Sequence, residues 1–354
     1  MSQSVVRIGP FGKVGERDIR EISLRSVDGV IEASVIELGA ALRDLRLRRA
    51  DGTVQRVVLG LNCAADYRDY SPHMGAIAGR FANRIRAGRF VLDGVGYQLP
   101  LNENGRTSLH GGGAAGFGKA EWNLLHADAV SATLGLHVPA GDNGYPGAMT
   151  VTCRYSLGPA AALRIEIWAV TDAPTIVNLC HHSYFNLDGS PDILAHRLMV
   201  HADLFTPVDA DLVPLGTLQP VAGTHLDFRV LRDLRGNGGA SRIGIDNTLM
   251  LRRDRCETVA VSGQTLAHAA TLVSDRSALQ MECWTTEPAL QVYDGFKLAV
   301  SVPGLGGARY GASAGIALEP QHVPNSPNLP QFPTTTLRPG EVYRQITEYR
   351  FVGP

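Results

Sequence analysis

The chain has 354 residues, of which 44% are hydrophobic and 19% charged, with a formal net charge of −1. This is the composition of a globular protein, and its balanced charge excludes the basic footprint of a nucleic-acid-binding protein or of one attracted to anionic membranes. No apolar run is long enough to span a bilayer, and the N-terminal twenty residues lack the apolar core of a secretory signal, so we expect a cytoplasmic protein.

Short β-type runs separated by turn signals follow one another along the chain. Asp28-Gly29 and Asp93-Gly94 are hairpin signals, and strict apolar–polar alternation in 150–157 and 163–170 is typical of half-buried strands. In chain order, the patterns predict β structure at 19–27, 30–47, 54–59, 89–99 (as a hairpin), 122–138, 148–157, 163–170, 196–203, 257–261, 267–273, 278–285, 289–293, 296–302, 314–319 and 341–351.

Two segments between these runs are predicted to be loops: the polar stretch 62–74 and the glycine-rich stretch 101–121. The sequence shows no amphipathic helix longer than about three turns, no internal repeat and no linker of low complexity. The 39 glycines and 20 prolines indicate many turns. We therefore expect an all-β protein with a single domain over 1–354, a large antiparallel β-sandwich.

The cysteines give information about the redox environment. There are five, an odd number, far apart and without a CxxC spacing, which predicts reduced and mostly buried thiols. They are Cys63, Cys153, Cys180, Cys256 and Cys283.

Glycine spacings in the 101–121 loop imitate nucleotide-binding motifs. Gly111, Gly113 and Gly116 satisfy GxGxxG, and Gly113 to Lys119 satisfies GxxxxGK. Both motifs require a helix to follow, and the second requires Ser or Thr where this chain has Ala120. The run after it favours a strand, so we expect no nucleotide site.

Two further motifs resemble those of serine hydrolases. His110 begins an HGGG run like a lipase oxyanion loop, and 311–315 satisfies GxSxG around Ser313. A nucleophile elbow leads from strand to helix with its acid and histidine well downstream. Here a β run follows, and Glu319 and His322 are only a few residues away, which argues against a hydrolase.

His181 and His182 are adjacent, so on a strand they point to opposite faces and cannot readily chelate one ion together. The chain has no HxH or HExxH spacing. We therefore expect one of the two histidines to pack in the interior and the other to face a cleft, and we expect no metal site.

Seven stretches, in order along most of the chain, resemble the motifs of the aldose 1-epimerases (galactose mutarotases). They are GRFANRI at 79–85, LHGG at 109–112 with GFGK at 116–119, DNGYPG at 142–147, VNLCHHSYFNL at 177–187, TPVD at 206–209 with PLG at 214–216, LEPQ at 318–321, and PNSPN at 324–328.

The resemblance implies a large twisted antiparallel β-sandwich whose cleft binds a pyranose. It implies interconversion of the α and β anomers of free hexoses such as galactose and glucose, with no cofactor. Position by position, His182 resembles the general acid and Glu319 the general base. The positions that resemble substrate contacts are Asn83, Arg84, His110, Tyr184, Asp246 and Gln291.

The chemistry requires these residue types. A base must take the proton of the C1 hydroxyl and an acid must protonate the ring oxygen, and we expect Glu319 and His182 to face one another across the sugar. Carboxylate and imidazole have reference pKa values of about 4.3 and 6.5, suited to these two roles. An aromatic ring under the apolar face of the sugar is also expected, with Phe81, Tyr184 and Tyr293 as candidates.

Several alternatives remain open at this stage. The chain could be a non-catalytic sugar-binding or sensor protein, or an epimerase for another or a phosphorylated sugar, which would require further cations at the rim. The alternative for Arg84 is an ion pair with a surface acid. Two features depart from the family pattern: His181 and the segment 292–297 after Gln291. We expect His73 and His322 to be loop or rim residues. The expected partner is an aldose, and the expected assembly is a monomer or homodimer.

Overall fold

The computed structural model of the protein describes residues 6–235, 244–254 and 256–353. Regular structure in these residues is almost entirely β-strand, and the named strands pair in antiparallel ladders. The prediction of an all-β antiparallel fold is therefore confirmed.

The largest sheet in the described part of the chain contains ten strands. One of its ladders pairs Met149–Gly158 with Ala162–Thr171 over their full length, and both segments were predicted to be strands from their alternating pattern. In spatial order the strands are Asn123–Ala127, Ser131–Val138, Met149–Gly158, Ala162–Thr171, Tyr343–Val352, Leu279–Thr285, Gln264–Ser274, Arg197–Val200 and Arg232–Asp233, with Thr258–Val261 also paired to Gln264–Ser274.

Two further sheets and several short ladders complete the β structure of the described residues. A five-stranded sheet contains Arg7–Val14, Arg17–Arg25, Ile31–Ile36, Leu42–Arg48 and Val54–Arg56 in that order. A six-stranded sheet contains, in spatial order, Tyr184–Phe185, Ile316–Gln321, Ala289–Tyr293, Asp246–Leu251, Ala202–Phe205 and Gln219–Pro220. The two-stranded ladders are Arg84–Arg86 with Thr107–Leu109, Arg89–Leu92 with Val95–Gln98, Thr175–Ile176 with Thr336–Leu337, and Ile77–Ala78 with Cys180–His181.

One hydrophobic core lies between these three sheets and joins them into a sandwich. It contains Val35 from the five-stranded sheet, Leu134 and Ile165 from the ten-stranded sheet, and Val292 and Leu318 from the six-stranded sheet. Because side chains alternate along a strand, the neighbours of Val292 and Leu318 point away from this core. The six-stranded sheet thus has one apolar face and one face free to carry polar groups.

The predicted loop at 62–74 contains a short helix, Ala64–Asp69. Ala64 and Tyr67, three residues apart, are buried on one side of it. Asp66 lies in the first turn and Arg68 in the last, which complements the helix dipole. With so few residues the helix shows no periodic pattern, and for this reason the sequence did not reveal it.

The predicted strand at 296–302 is wrong. This segment turns at its start, where the amide of Leu298 donates to the carbonyl of Gly295, and Val300 donates to Tyr310. Leu298 is buried, with Val300 and Val302 packed against the same cluster. The alternating pattern therefore reflects an irregular segment with one buried side. The remaining short turns are of 3₁₀ type, at Gly113–Ala115, Phe117–Lys119, Asp142–Gly144, Leu305–Gly307 and Ser326–Asn328.

All five cysteines are free thiols, and Cys153, Cys180 and Cys283 are buried, as the sequence predicted. Across 6–235, 244–254 and 256–353, we find no helix with the length and apolar character needed to traverse a bilayer.

Candidate active site

The polar face of the six-stranded sheet carries four of the eight predicted site residues, arranged in two rows. Residues that lie opposite one another on adjacent strands share a face of the sheet, as do residues two apart on one strand. One row, in spatial order, is Glu319, Gln291 and Thr248, and the other is Tyr184, Ala317, Tyr293 and Asp246. The short side chain of Ala317 lies between Tyr184 and Tyr293, whose rings pack edge to face with their centroids 6.0 Å apart.

Glu319 and His182 lie side by side. His182 Nε2 is 3.7 Å from Glu319 Oε1, and both side chains are almost fully buried. This separation leaves no room for a pyranose between them, so the expectation that they face one another across the sugar is corrected. Both groups can instead reach two oxygens bonded to the same carbon. Burial raises the pKa of Glu319, against the opposing effect of His182, which makes the carboxylate a stronger base.

The opposite wall is the two-stranded ribbon of Arg84–Arg86 and Thr107–Leu109. At its end, the amide of His110 donates to the carbonyl of Asn83, and the amide of Asn83 donates to His110 Nδ1, 3.2 Å away. Asn83 and His110 both have positive φ, 61° and 49°, a strained conformation that is frequent at functional sites. A Cβ on Gly111 would collide with the carbonyl of Gly79, so glycine is required at this close approach.

Three histidine rings meet at the cavity. The ring centroid of His110 lies 4.8 Å from that of His73 and 5.3 Å from that of His182. Burial lowers the pKa of His110 well below its usual value and that of His73 to about 3, so both are neutral at physiological pH. Because His110 Nδ1 accepts a hydrogen bond, its proton is on Nε2, where it can be donated to a ligand.

A chain of polar contacts orients Asp246 in the wall. Arg84 forms a two-pronged pair with Glu103, at 2.7 and 2.8 Å, and its Nη1 is 3.5 Å from Asp246 Oδ2. Gln291 Nε2 donates to Asp246 Oδ1 at 2.6 Å, and Thr248 donates to Gln291 Oε1 at 2.5 Å. Burial disfavours the charge on Glu103, but Arg84 outweighs it and keeps the pKa of Glu103 below its usual value. Arg84 is therefore a buried wall residue and not one half of a surface pair.

These elements enclose a cavity of about 180 Å³. Drug-sized ligands usually occupy about 300–1,000 Å³, so this volume suits one small molecule of monosaccharide size. The residues lining it are Pro72, His73, Asn83, Arg84, Glu103, Leu109, His110, His182, Tyr184, Asp246, Tyr293, Lys297 and Glu319.

The cavity contains seven of the eight predicted site residues. Gln291 does not line it, because its amide is used behind Asp246. Phe81, one aromatic candidate, is buried in a separate cluster, whereas Tyr184 and Tyr293 belong to the lining. Tyr184 is fixed by donating its hydroxyl to the carbonyl of Pro72 at 3.2 Å.

Three titratable lining residues were not identified as site residues from the sequence. His73 was expected at a loop or rim, but its ring lies in the cavity beside that of His110, tilted by 47°. Glu103 lies inside the predicted glycine-rich loop, where no motif distinguishes it. Lys297 lies in the 292–297 segment, which was noted as a departure but not as a contact.

His181 does not line the cavity, whereas its neighbour His182 does. Adjacency predicted that only one of the two would face a cleft, and the family motif selected His182. Its ring packs against Tyr155 and Tyr349, and its Nε2 lies 3.0 Å from Ser183 Oγ. Burial, with a smaller effect of His182, lowers the pKa of His181 to about 3. His181 is thus a neutral structural residue behind the site.

The motifs of other function classes lack their structural context. The segment around Gly113 forms 3₁₀ turns followed by the strand Asn123–Ala127, and Lys119 Nζ donates to the backbone carbonyls of Tyr67, Arg68 and Ser71. Ser313 is fully buried and precedes a strand. Within the described residues, no group of three or more His, Cys, Asp or Glu side chains is arranged to hold a metal ion.

Comparison with known proteins places this site in context. The family profile described as aldose 1-epimerase matches residues 22–350. The chain is 35% identical to the galactose mutarotase of Rattus norvegicus over 352 residues, which is 96% of this chain and 97% of that protein. It is 34% identical to the aldose 1-epimerase of Escherichia coli K12 over 337 residues, 94% and 95% of the two chains.

Solved structures agree with these matches. The fold superposes on an aldose epimerase homologue from C. elegans with a TM-score of 0.85 and 28% identity, covering 94% of this chain and 98% of that one. For the galactose 1-epimerase of Lactobacillus acidophilus NCFM the TM-score is 0.82 and the identity 29%, with 98% of each chain covered.

Proposed function

The chain belongs to the aldose 1-epimerase family, and we propose that it interconverts the α and β anomers of free hexoses such as galactose and glucose, with Glu319 as base and His182 as acid. The protein is an isomerase that acts on a small sugar. The observation that carries the assignment of roles is the buried contact of His182 Nε2 with Glu319 Oε1 at 3.7 Å, on the floor of the cavity.

In the proposed mechanism, Glu319 removes the proton from the C1 hydroxyl, the C1–O1 bond gains double-bond character, and the C1–O5 bond breaks. His182 gives a proton to O5 as the ring opens. Because O1 and O5 are both bonded to C1, a base and an acid that lie side by side can serve both at once. After rotation about C1–C2, the protonated Glu319 and neutral His182 reverse their roles, and the ring closes to the other anomer.

The remaining wall residues are proposed to orient the sugar. Asp246 accepts from hydroxyl groups, while Arg84 and the Nε2–H of His110 donate to sugar oxygens. Asn83 and Tyr184 complete the contacts. Gln291 supports this group through its 2.6 Å hydrogen bond to Asp246.

The test is polarimetry or NMR on freshly dissolved α-galactose and α-glucose, with the spontaneous rate subtracted. We expect the wild-type protein to accelerate mutarotation and Glu319→Gln and His182→Asn each to lose at least about a hundredfold, since general acid or base catalysis contributes about 10²–10⁴-fold. Full activity in both variants would contradict the mechanism. Sugar binding without acceleration by the wild type would favour a non-catalytic sensor instead.

A second candidate substrate class is a hexose with an anionic substituent, such as a hexose 6-phosphate. Lys297 is exposed on the cavity lining, and its ammonium lies over the ring of Phe296, 5.1 Å from the centroid. Arg80 cannot contribute a cation, because it is buried and donates to the carbonyls of Pro146 and Gly147. Assays of hexose 6-phosphates and free hexoses with the wild type and Lys297→Met separate the classes: an anionic preference predicts a loss confined to the phosphorylated sugar.

We also propose that the chain is one domain, works in the cytoplasm and is a monomer or homodimer. The ten-stranded sheet contains strands from Asn123–Ala127 to Tyr343–Val352. A domain boundary anywhere in this range would therefore separate strands of one sheet. Free thiols suit a reducing compartment. Light scattering of the purified protein measures the assembly state.

A further inference from the structure

We infer that the thiol of Cys180 is a positioning residue that donates a hydrogen bond to Glu319 and thereby fixes the orientation and basicity of that carboxylate. Cys180 Sγ lies 3.2 Å from Glu319 Oε2, while the other oxygen, Oε1, faces His182. One carboxylate oxygen is thus held from behind and the other is presented to the cavity. The inference rests on the proposed role of Glu319 as the base.

The position of Cys180 follows from the fold. It lies on the short strand Cys180–His181, opposite Ala78 on Ile77–Ala78. Together with Ala78 and Ala82 it forms a small apolar cluster, and its exposed fraction is zero. The thiol is therefore held against Glu319 by small side chains and is shielded from water.

The direction of the hydrogen bond follows from the ionisation of the two groups. Burial, and then the nearby Glu319, raise the pKa of Cys180 well above its usual value, so the thiol keeps its proton at physiological pH. A protonated thiol beside a carboxylate can only donate. This hydrogen bond favours the charged form of Glu319 and opposes the effect of burial.

Other groups also act on Glu319 and must be held constant in a test. His182 and Arg84 lower its pKa, and Asp246 raises it. The phenols of Tyr184, Tyr293 and Tyr349 are near enough to interact with it. On its other side Cys180 interacts with the buried Glu287. Substitution of the thiol alone leaves all of these groups in place.

The first experiment compares pH profiles of kcat/KM for mutarotation in the wild type, Cys180→Ala and Cys180→Ser. The acid limb reports the ionisation of the free enzyme's base. We expect Cys180→Ala to move this limb upward by about 0.5–1 pH unit, since loss of one donor to a carboxylate raises its pKa. Cys180→Ser, whose hydroxyl is a stronger donor, should place the limb at or below that of the wild type.

Cys283→Ala is the matched control. Cys283 is equally buried, and burial alone raises the pKa of its thiol. We expect its acid limb to coincide with that of the wild type. If Cys180→Ala and the wild type share one acid limb, or Cys180→Ser behaves like Cys180→Ala, the inference is overturned. If Cys180→Ala does not fold, Cys180→Ser alone tests the inference. An acid limb at higher pH in Cys180→Ser than in the wild type would then overturn it.

An infrared readout decides the contact independently of activity. The S–H stretching band of Cys180 is obtained as the difference between the wild type and Cys180→Ser, and that of Cys283 as the difference from Cys283→Ala. We expect the Cys180 band at lower frequency, shifting upward in Glu319→Gln. A Cys180 band at the Cys283 frequency overturns the inference. If the wild type lacks mutarotase activity, the proposed function is refuted. The frequency of the Cys180 band would still show whether the thiol donates a hydrogen bond to Glu319.

Discussion

Replacement of Glu287 by glutamine is expected to stabilise the protein at alkaline pH and to leave it unchanged in acid. Glu287 is buried, and its Oε2 has no hydrogen-bond partner among the described residues. Burial raises its pKa from 4.5 to about 7. His322 Nε2 is 3.8 Å from Oε2, but burial lowers the pKa of His322, so it does not supply a compensating cation at neutral pH.

The magnitude follows from linkage between protonation and folding. Between pH 4.5 and about 7 the folded protein keeps the proton of Glu287, whereas the unfolded chain has lost it. The contribution of Glu287 to the free energy of unfolding is therefore fully present below pH 4.5, and it is lost as the pH rises through about 7. A shift of some 2.5 units at 1.36 kcal/mol each corresponds to about 3 kcal/mol. Glutamine does not titrate, so Glu287→Gln escapes this loss.

The assay is urea unfolding of the wild type and Glu287→Gln at a series of pH values from about 4 to 8. The difference in the free energy of unfolding should grow from near zero to about 3 kcal/mol in favour of the variant. Glu16→Gln, at an exposed position, is the control and should give a constant difference. Parallel curves for Glu287→Gln and the wild type would refute the reasoning.

Three predictions concern the cavity wall. Gln291→Leu removes the hydrogen bond that Gln291 donates to Asp246, and a hydrogen bond to a charged group contributes about 1.5–3 kcal/mol. We therefore expect kcat/KM to fall roughly ten- to a hundredfold. An unchanged kcat/KM would show that Asp246 is oriented without Gln291. Arg84→Lys keeps the charge but loses the two-pronged contact with Glu103, and we expect at least about a tenfold loss in kcat/KM with an unaltered circular dichroism spectrum. His110→Gln should lower kcat/KM by about tenfold, the loss of one hydrogen bond, while both limbs of the pH profile stay in place, because His110 is neutral throughout; a displaced limb would contradict this.

Most of the fold could be predicted because strand formation leaves a local signal. Alternation in 150–157 and 163–170 predicted two strands, both of which the structure contains, and Asp93-Gly94 predicted the hairpin of Arg89–Leu92 with Val95–Gln98. The segment 296–302 has the same alternation but no continuous partner strand. Periodicity reports which side chains are buried, and strand pairing is a separate, non-local property.

The site was predictable only in part, for a related reason. His182 and Glu319 were found because each lies in a distinctive motif. His73 and Glu103 lie in loops, where nothing local announces that a side chain points inward. The role of Gln291 depends on register, since it lies between Glu319 and Thr248 on three adjacent strands. This register results from pairing between strands that are distant in the sequence, so no local pattern predicts it.

The two rows of the six-stranded sheet have a practical consequence for engineering. The backbone of Glu319 and of its neighbours across the sheet is held by main-chain hydrogen bonds between adjacent strands, so its position does not depend on side chains outside the sheet that face the sugar. Leu109 and Lys297 lie outside this sheet and face the same cavity. A library that varies only these two positions would sample new sugar substituents while the proton-transfer machinery stays constant. Substrate range and chemistry are thus separable targets for directed evolution in this scaffold.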